Sequence, residues 1–175
     1  MKSRALAGIS TLVLTLISLT GFSVTSAVAA EKIAAPTSLT VTGAGGVNLD
    51  SSLYLPAKLP APAILLAHGF GGSKDSVASE AQFLAQKGYV VLAWSARGFG
   101  QSTGQITMDS PQFEIADIQK LINYLATRKE VVQQHTGDPL VGIAGASYGG
   151  AAALLTAGYD KRIDAVVSDI TWNNL

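Results

Sequence analysis

The sequence predicts an α/β fold, a mainly parallel sheet with helices on both faces. Three observations carry that prediction. Short apolar runs recur at 63–67, 89–94 and 140–144, the pattern of strands buried on both faces, and 163–167, broken by Asp164, reads as a fourth strand. Stretches with helical spacing separate them, as right-handed crossovers between parallel strands require. Glycine-rich or polar segments that could carry chemistry follow directly after the runs, at the strand ends where sheets of this kind bind ligands.

The chain opens on a segment set apart from the fold. Lys2 and Arg4 precede an apolar run from Ala5 to about Gly21, and Ser26-Ala27-Val28-Ala29-Ala30 supplies small residues for cleavage. This is the layout of an export signal removed from the mature protein, so residues 1–30 are expected to be a signal peptide and the product secreted. No stable membrane insertion is expected after cleavage. Residues 31–38 form a polar lead, and 39–175 hold the domain. Outside the leader the charge is ten basic against twelve acidic residues, which gives no sign of a nucleic-acid partner. Cysteine is absent, so stability rests on a core and not on disulfides.

Leu39–Thr42 and Val47–Leu55 read as strands around the turn Gly43-Ala44-Gly45-Gly46. Pro56 to Pro62 is a connector, and Ala63–Ala67 the first buried strand. Ser76–Lys87 has Val77, Ala81 and Leu84 on one face and Gly88 as its stop. Tyr89–Trp94 is the next strand. Ser110-Pro111 reads as the cap and first position of a helix whose stripe is Ile115, Ile118, Leu121, Ile122 and Leu125. Leu140–Ala144 is a third buried strand, a small-residue helix begins near Tyr148, and Ile163–Val167 is a fourth.

The strongest chemical signal is Gly145-Ala146-Ser147-Tyr148-Gly149, between a buried strand and a helix start. A turn this sharp needs Gly145 and Gly149 beside the serine, and it holds the Ser147 hydroxyl at a helix N-terminus as a nucleophile. His68-Gly69-Phe70-Gly71-Gly72 follows the first buried strand. Acyl transfer needs two donors for its oxyanion, and the backbone N–H groups of Tyr148 and Phe70 are expected to provide them. Gly69 and Gly71 let that loop come close. His68 is expected to brace the loop, not to act as a base. His135, in a polar loop at the opposite end of the third strand, is expected at the surface.

With Arg97-Gly98-Phe99-Gly100-Gln101-Ser102-Thr103-Gly104 and Asp169-Ile170-Thr171-Trp172, these motifs resemble the α/β-hydrolase superfamily. Within it they resemble the X-Pro dipeptidyl-peptidase and cocaine-esterase-like branch. The resemblance covers Leu39 to Leu175 and implies a serine hydrolase acting on a small ester or a peptide through an acyl-enzyme. It departs from the branch at Phe70, which lacks the tyrosine hydroxyl those enzymes place in the oxyanion hole, so a hole built from backbone alone is implied. Ser95-Ala96 also stands where many hydrolases have an aspartate.

In this fold the acid and then the histidine follow the serine, yet no histidine follows Ser147. Asp169 is a candidate acid, although capping a strand end suits it better. The sequence is therefore expected to be the N-terminal part of a longer protein and by itself nearly inactive, since an alcohol without a base is a poor nucleophile. No metal or organic cofactor is implied, because no His/Cys ligand cluster exists. A non-catalytic binding module on the same scaffold, or a carboxylesterase or lipase of another branch, are the competing readings.

Overall fold

The computed structural model describes residues 33–172. The expected signal peptide lies outside the described residues. Eight strands and three α-helices follow in chain order: β1 Thr37–Thr42, β2 Asn48–Tyr54, β3 Ala63–Ala67, α1 Ala78–Gln86, β4 Val90–Trp94, α2 Glu114–Ala126, β5 Gln133–His135, β6 Asp138–Pro139, β7 Val141–Ala146, α3 Tyr148–Tyr159 and β8 Ile163–Asp169. Six of the strands make one mixed sheet in the order β1-β2-β4-β3-β7-β8. The β4-β3-β7-β8 block is parallel, and β1 and β2 join it antiparallel.

β3 and β4 sit in the middle of the sheet, and every residue of β4 is buried. Helices cover both faces. On one face the α2 stripe Ile115, Ile118, Leu121, Ile122 and Leu125 packs with Ala152 and Ala153 of α3 onto Leu49, Leu65, Leu92 and Ile143. Each large aliphatic side chain removed from water there contributes about 1.5–3 kcal/mol. On the other face Ala81 and Ala85 of α1 lie against Tyr54, Leu66, Val91 and Ala93. Small residues on α1 let the helix approach the sheet closely. Gly88, with φ of 98°, then turns the chain into β4, a conformation open to glycine at no steric cost.

Several boundaries differ from the sequence expectation. β1 begins at Thr37, two residues before the expected strand start at Leu39. A 3-10 turn at Lys74–Val77, capped by the Ser73 hydroxyl, precedes α1. The Ser110-Pro111 expectation is corrected: α2 starts at Glu114, and Ser110 and Pro111 lie in the turn before it. The reason is local competition. The Glu114 carboxylate reaches back to accept the N–H groups of Thr107 and Ser110 at 2.6 and 3.0 Å, while the Ser110 carbonyl accepts from Phe113 and Ile115. A tight turn satisfies these groups before the helix begins. The β5-β6 ribbon had no sequence signal, and it carries exposed His135 away from the parallel strand ends.

Candidate active site

The sharpest feature of the backbone lies where β7 becomes α3. Ser147 has φ 54° and ψ −121°, a conformation rarely adopted outside glycine and one that costs on the order of 1–3 kcal/mol unless its surroundings hold it. The surroundings do so through close packing. A Cβ on Gly145 would lie 2.5 Å from the Gly149 carbonyl oxygen, and one on Gly149 would lie 2.7 Å from the carbonyl oxygen of His68. The Ser147 N–H donates to the Asp169 carbonyl at 2.9 Å, and its own carbonyl accepts from Ala151 at 3.1 Å. β8 therefore fixes the elbow from one side while β3 fixes it from the other.

The His68–Gly72 loop leaves β3 beside this elbow. A Cβ on Gly69 would stand 4.0 Å from the Ser147 Cβ, and Gly71 is left-handed with φ 79°. The Tyr148 N–H opens α3 and has no acceptor within the helix. The Phe70 N–H has no acceptor among the described residues. Two N–H groups without a backbone acceptor therefore lie in the segments that adjoin Ser147, one in the residue after it and one in the loop beside it. The Phe70 ring is 61% exposed and meets Phe99 and Tyr148 edge-on, with centroids 5.3 and 5.9 Å apart.

His68 is buried, and both ring nitrogens are engaged. Nδ1 lies 2.7 Å from the Gly69 carbonyl and Nε2 accepts the Ala96 N–H at 3.0 Å. That pairing puts the proton on Nδ1 and leaves the ring neutral. Burial lowers its pKa, and the bond to the Gly69 carbonyl opposes the shift only in part.

The Arg97–Gly104 motif builds the neighbouring wall. Arg97 Nε and Nη2 donate to the two oxygens of Asp117 at 2.7 Å each. This bidentate pair raises the guanidinium pKa against its burial. The same Nη2 donates to the Ala44 carbonyl at 3.1 Å. Ser102 donates to the Ser95 carbonyl at 2.6 Å and accepts from the Asp50 N–H, so the loop is pinned to β2. A Cβ on left-handed Gly100 would come within 2.7 Å of the Ser95 hydroxyl.

Ser147, Tyr148, Gly145, Gly149, His68, Gly69 and Phe70 are thus brought together at one sheet edge. Asp169 contributes its backbone carbonyl there, and its side chain is exposed. The buried Asp117, Glu114 and Asp109 were not singled out from the sequence. Asp117 lies twenty residues from its arginine, a partnership only the fold reveals. No group of His, Cys, Asp and Glu among the described residues has the arrangement of a metal site.

A mixed sheet with helices on both faces and a Gly-flanked serine at the β7–α3 elbow define an α/β-hydrolase. Solved structures agree: protein PA2218 of Pseudomonas aeruginosa superposes with a TM-score of 0.70 and 28% identity over 82% of this chain and 44% of its own. The Pyrococcus furiosus esterase Pf2001, at 22% identity, shares the fold with a TM-score of 0.67 over 78% of this chain and 52% of its own. Residues 45–175 match the X-Pro dipeptidyl-peptidase (S15) family, and the chain belongs to it. Among curated proteins, PA2218 is 32% identical over 73% of this chain and 34% of its own length. Thiohydrolase aneE of Aspergillus aculeatus is 33% identical over 70% of this chain and 37% of its own. The chain spans about two-fifths or less of the length of these curated relatives.

Proposed function

We propose that Ser147 is the nucleophile of a secreted hydrolase that cleaves an ester or amide bond through an acyl-enzyme. The observation that carries this reading is the left-handed Ser147 backbone at the mouth of α3, held between β3 and β8. Strain maintained by close packing on both sides has a purpose when it presents a side chain. The Ser147 Oγ attacks the acyl carbon and gives its proton to a base. The Phe70 and Tyr148 N–H groups hold the oxyanion. Collapse expels the protonated alcohol or amine, and water then cleaves the ester on Ser147. His68 does not serve as the base, because its Nε2 lone pair is committed to the Ala96 N–H.

Membership of the S15 family supports a peptide bond after proline as the scissile bond. An acyl ester or thioester is the second reading. It is supported by the thiohydrolase relative and by Phe70, whose exposed ring gives the site's mouth an apolar and not a hydroxyl-bearing wall. The test uses the full-length gene product with Xaa-Pro arylamides and with short and medium acyl arylesters. Turnover of the arylamides, lost in Ser147→Ala, supports the peptidase. Turnover of esters alone supports the second reading. A Ser147→Ala variant as active as wild type on either class overturns both. Sequencing the N-terminus of protein recovered from the culture medium tests secretion, with a start near Glu31 expected.

A further inference from the structure

Beside the elbow, where Tyr148 and Gly149 begin α3, lies a small chamber of about 10 Å³. Its polar walls are His68, Arg97, Asp109, Glu114, Asp117 and Tyr148, drawn from the ends of β3 and β4, from α2, from the start of α3 and from the 105–110 loop. Most of these groups are satisfied. Arg97 and Asp117 pair with each other, both His68 nitrogens are bonded, and the Glu114 oxygens accept from Thr107 and Ser110. Both Asp109 carboxyl oxygens and the Tyr148 hydroxyl are buried with no protein partner among the described residues. Asp109 and Tyr148 are each only 2% exposed.

Asp109 concentrates several costs that the Ser147 chemistry does not use. It and Met108 are consecutive left-handed residues, with φ of 60° and 56°. Such residues persist only when their surroundings over-determine them. A buried polar group without a partner adds a further penalty. These costs converge on one wall of one chamber, opposite a second buried orphan, the Tyr148 hydroxyl.

We propose that the Asp109 carboxyl and the Tyr148 hydroxyl bind a single structural water in this chamber, and that this site ties the 105–110 loop to the residue following Ser147. The volume matches one water, which needs roughly 10–15 Å³ of such space and two to four polar partners. A cation fits poorly, because small hard cations take about six or more oxygen ligands and the other carboxylates here are already engaged. The site also requires Asp109 to be the neutral acid. An ionised Asp109 would be a third carboxylate beside Glu114 and Asp117, facing one guanidinium that Asp117 already occupies and a neutral His68. Burial first, and then the Glu114 charge, push the Asp109 pKa up to about 7. Burial first, then the charges of Asp109 and Glu114 and the nearness of the Glu114 carboxylate, which lies outside hydrogen-bond geometry, push the Tyr148 hydroxyl upward, so it stays a donor. The consequence for catalysis rests on the Ser147 reading, since Tyr148 carries an oxyanion N–H; the water site does not.

The sign of the pH effect follows. The unfolded chain loses the Asp109 proton near the ordinary carboxylate value of about 4, whereas the folded chain keeps it to about pH 7. Folding is therefore increasingly opposed as pH rises between those values, and the opposition is complete above them. The experiment is an NMR titration of the full chain carrying ¹³C-carboxyl aspartate, with Asp109→Asn identifying the resonance. The same two proteins are then compared by thermal unfolding at pH 5 and 8.5. We expect the Asp109 carboxyl to titrate near pH 7. Asp109→Asn should already melt slightly higher than wild type at pH 5, and by a margin about two- to threefold larger at pH 8.5. Tyr148→Phe, which deletes one partner of the water, should move the Asp109 midpoint upward. An Asp109 midpoint below about 5, or a downward move on adding sodium, would overturn the proposal in favour of an ionised or cation-binding carboxylate. A midpoint unaffected by Tyr148→Phe would overturn the shared site. None of these readouts uses Ser147, so loss of the hydrolase reading and loss of this one are distinguishable.

Discussion

β7 and β8 are neighbours with similar apolar content, yet they lead different lives. β7, Val-Gly-Ile-Ala-Gly-Ala, is paired on both edges and buries Val141 and Ile143 against α2 and α3. β8, Ile-Asp-Ala-Val-Val-Ser-Asp, is paired on one edge only among the described residues. It leaves Ala165 and Val167 open on the α1 side of the sheet, beyond the strands that α1 covers, with Val167 64% exposed. Asp164, Ser168 and Asp169 already make β8 the more polar strand, but they do not account for the exposure of Val167. Burial is supplied by partners, and an apolar run states only that a strand can be buried. β8 still serves the site, because its terminal carbonyl accepts the Ser147 N–H. The rigid element presents the serine, and the open one steadies its backbone.

The contrast can be broken by substitution. Ile143→Ala on β7 should cost about 2–5 kcal/mol, the range for a large aliphatic side chain removed from a close-packed core, measured by urea unfolding. Gly149→Ala should cost about 1–3 kcal/mol, as overpacking does. Its new Cβ would lie within 2.8 Å of the Ala67 and His68 carbonyl oxygens at the end of β3, so α3 must retreat from the elbow. Gly158→Ala, later in the same helix and facing open space, is the control and should stabilise by up to about 1 kcal/mol. In the 175-residue chain, Val167→Ala on β8 should change stability by less than about 0.5 kcal/mol, as exposed sites do. A Val167 effect as large as that of Ile143 would mean that β8 is covered in solution.

Much of this architecture was legible because it is written in local rules. The buried runs gave β3 and β4 nearly residue for residue, and the 3.6-residue stripe from Ile115 to Leu125 is the face that α2 buries. The elbow was legible because only glycine fits at 145 and 149. What escaped depends on distant or competing partners. Ser110-Pro111 resembles a helix start until the Glu114 carboxylate claims the donors around it. The β5-β6 ribbon is short and polar, without alternation. Asp117 reads as an ordinary helix-face acid and becomes a buried partner only when β4 delivers Arg97 to it. Asp109 lies between Met108 and Ser110 in a loop, and no pattern marks a loop aspartate for burial.

The central claim is that the elbow presents Ser147 as a nucleophile. It is tested most directly by reacting the full-length gene product with a fluorophosphonate probe beside its Ser147→Ala variant, with Ser102→Ala as a serine control in the adjoining wall. The account predicts covalent labelling of wild type and of Ser102→Ala at the peptide containing Ser147, and a loss of at least about a thousandfold in Ser147→Ala, as removal of a catalytic nucleophile produces. A folded wild-type protein that takes up no probe, or labelling that survives Ser147→Ala, would contradict it.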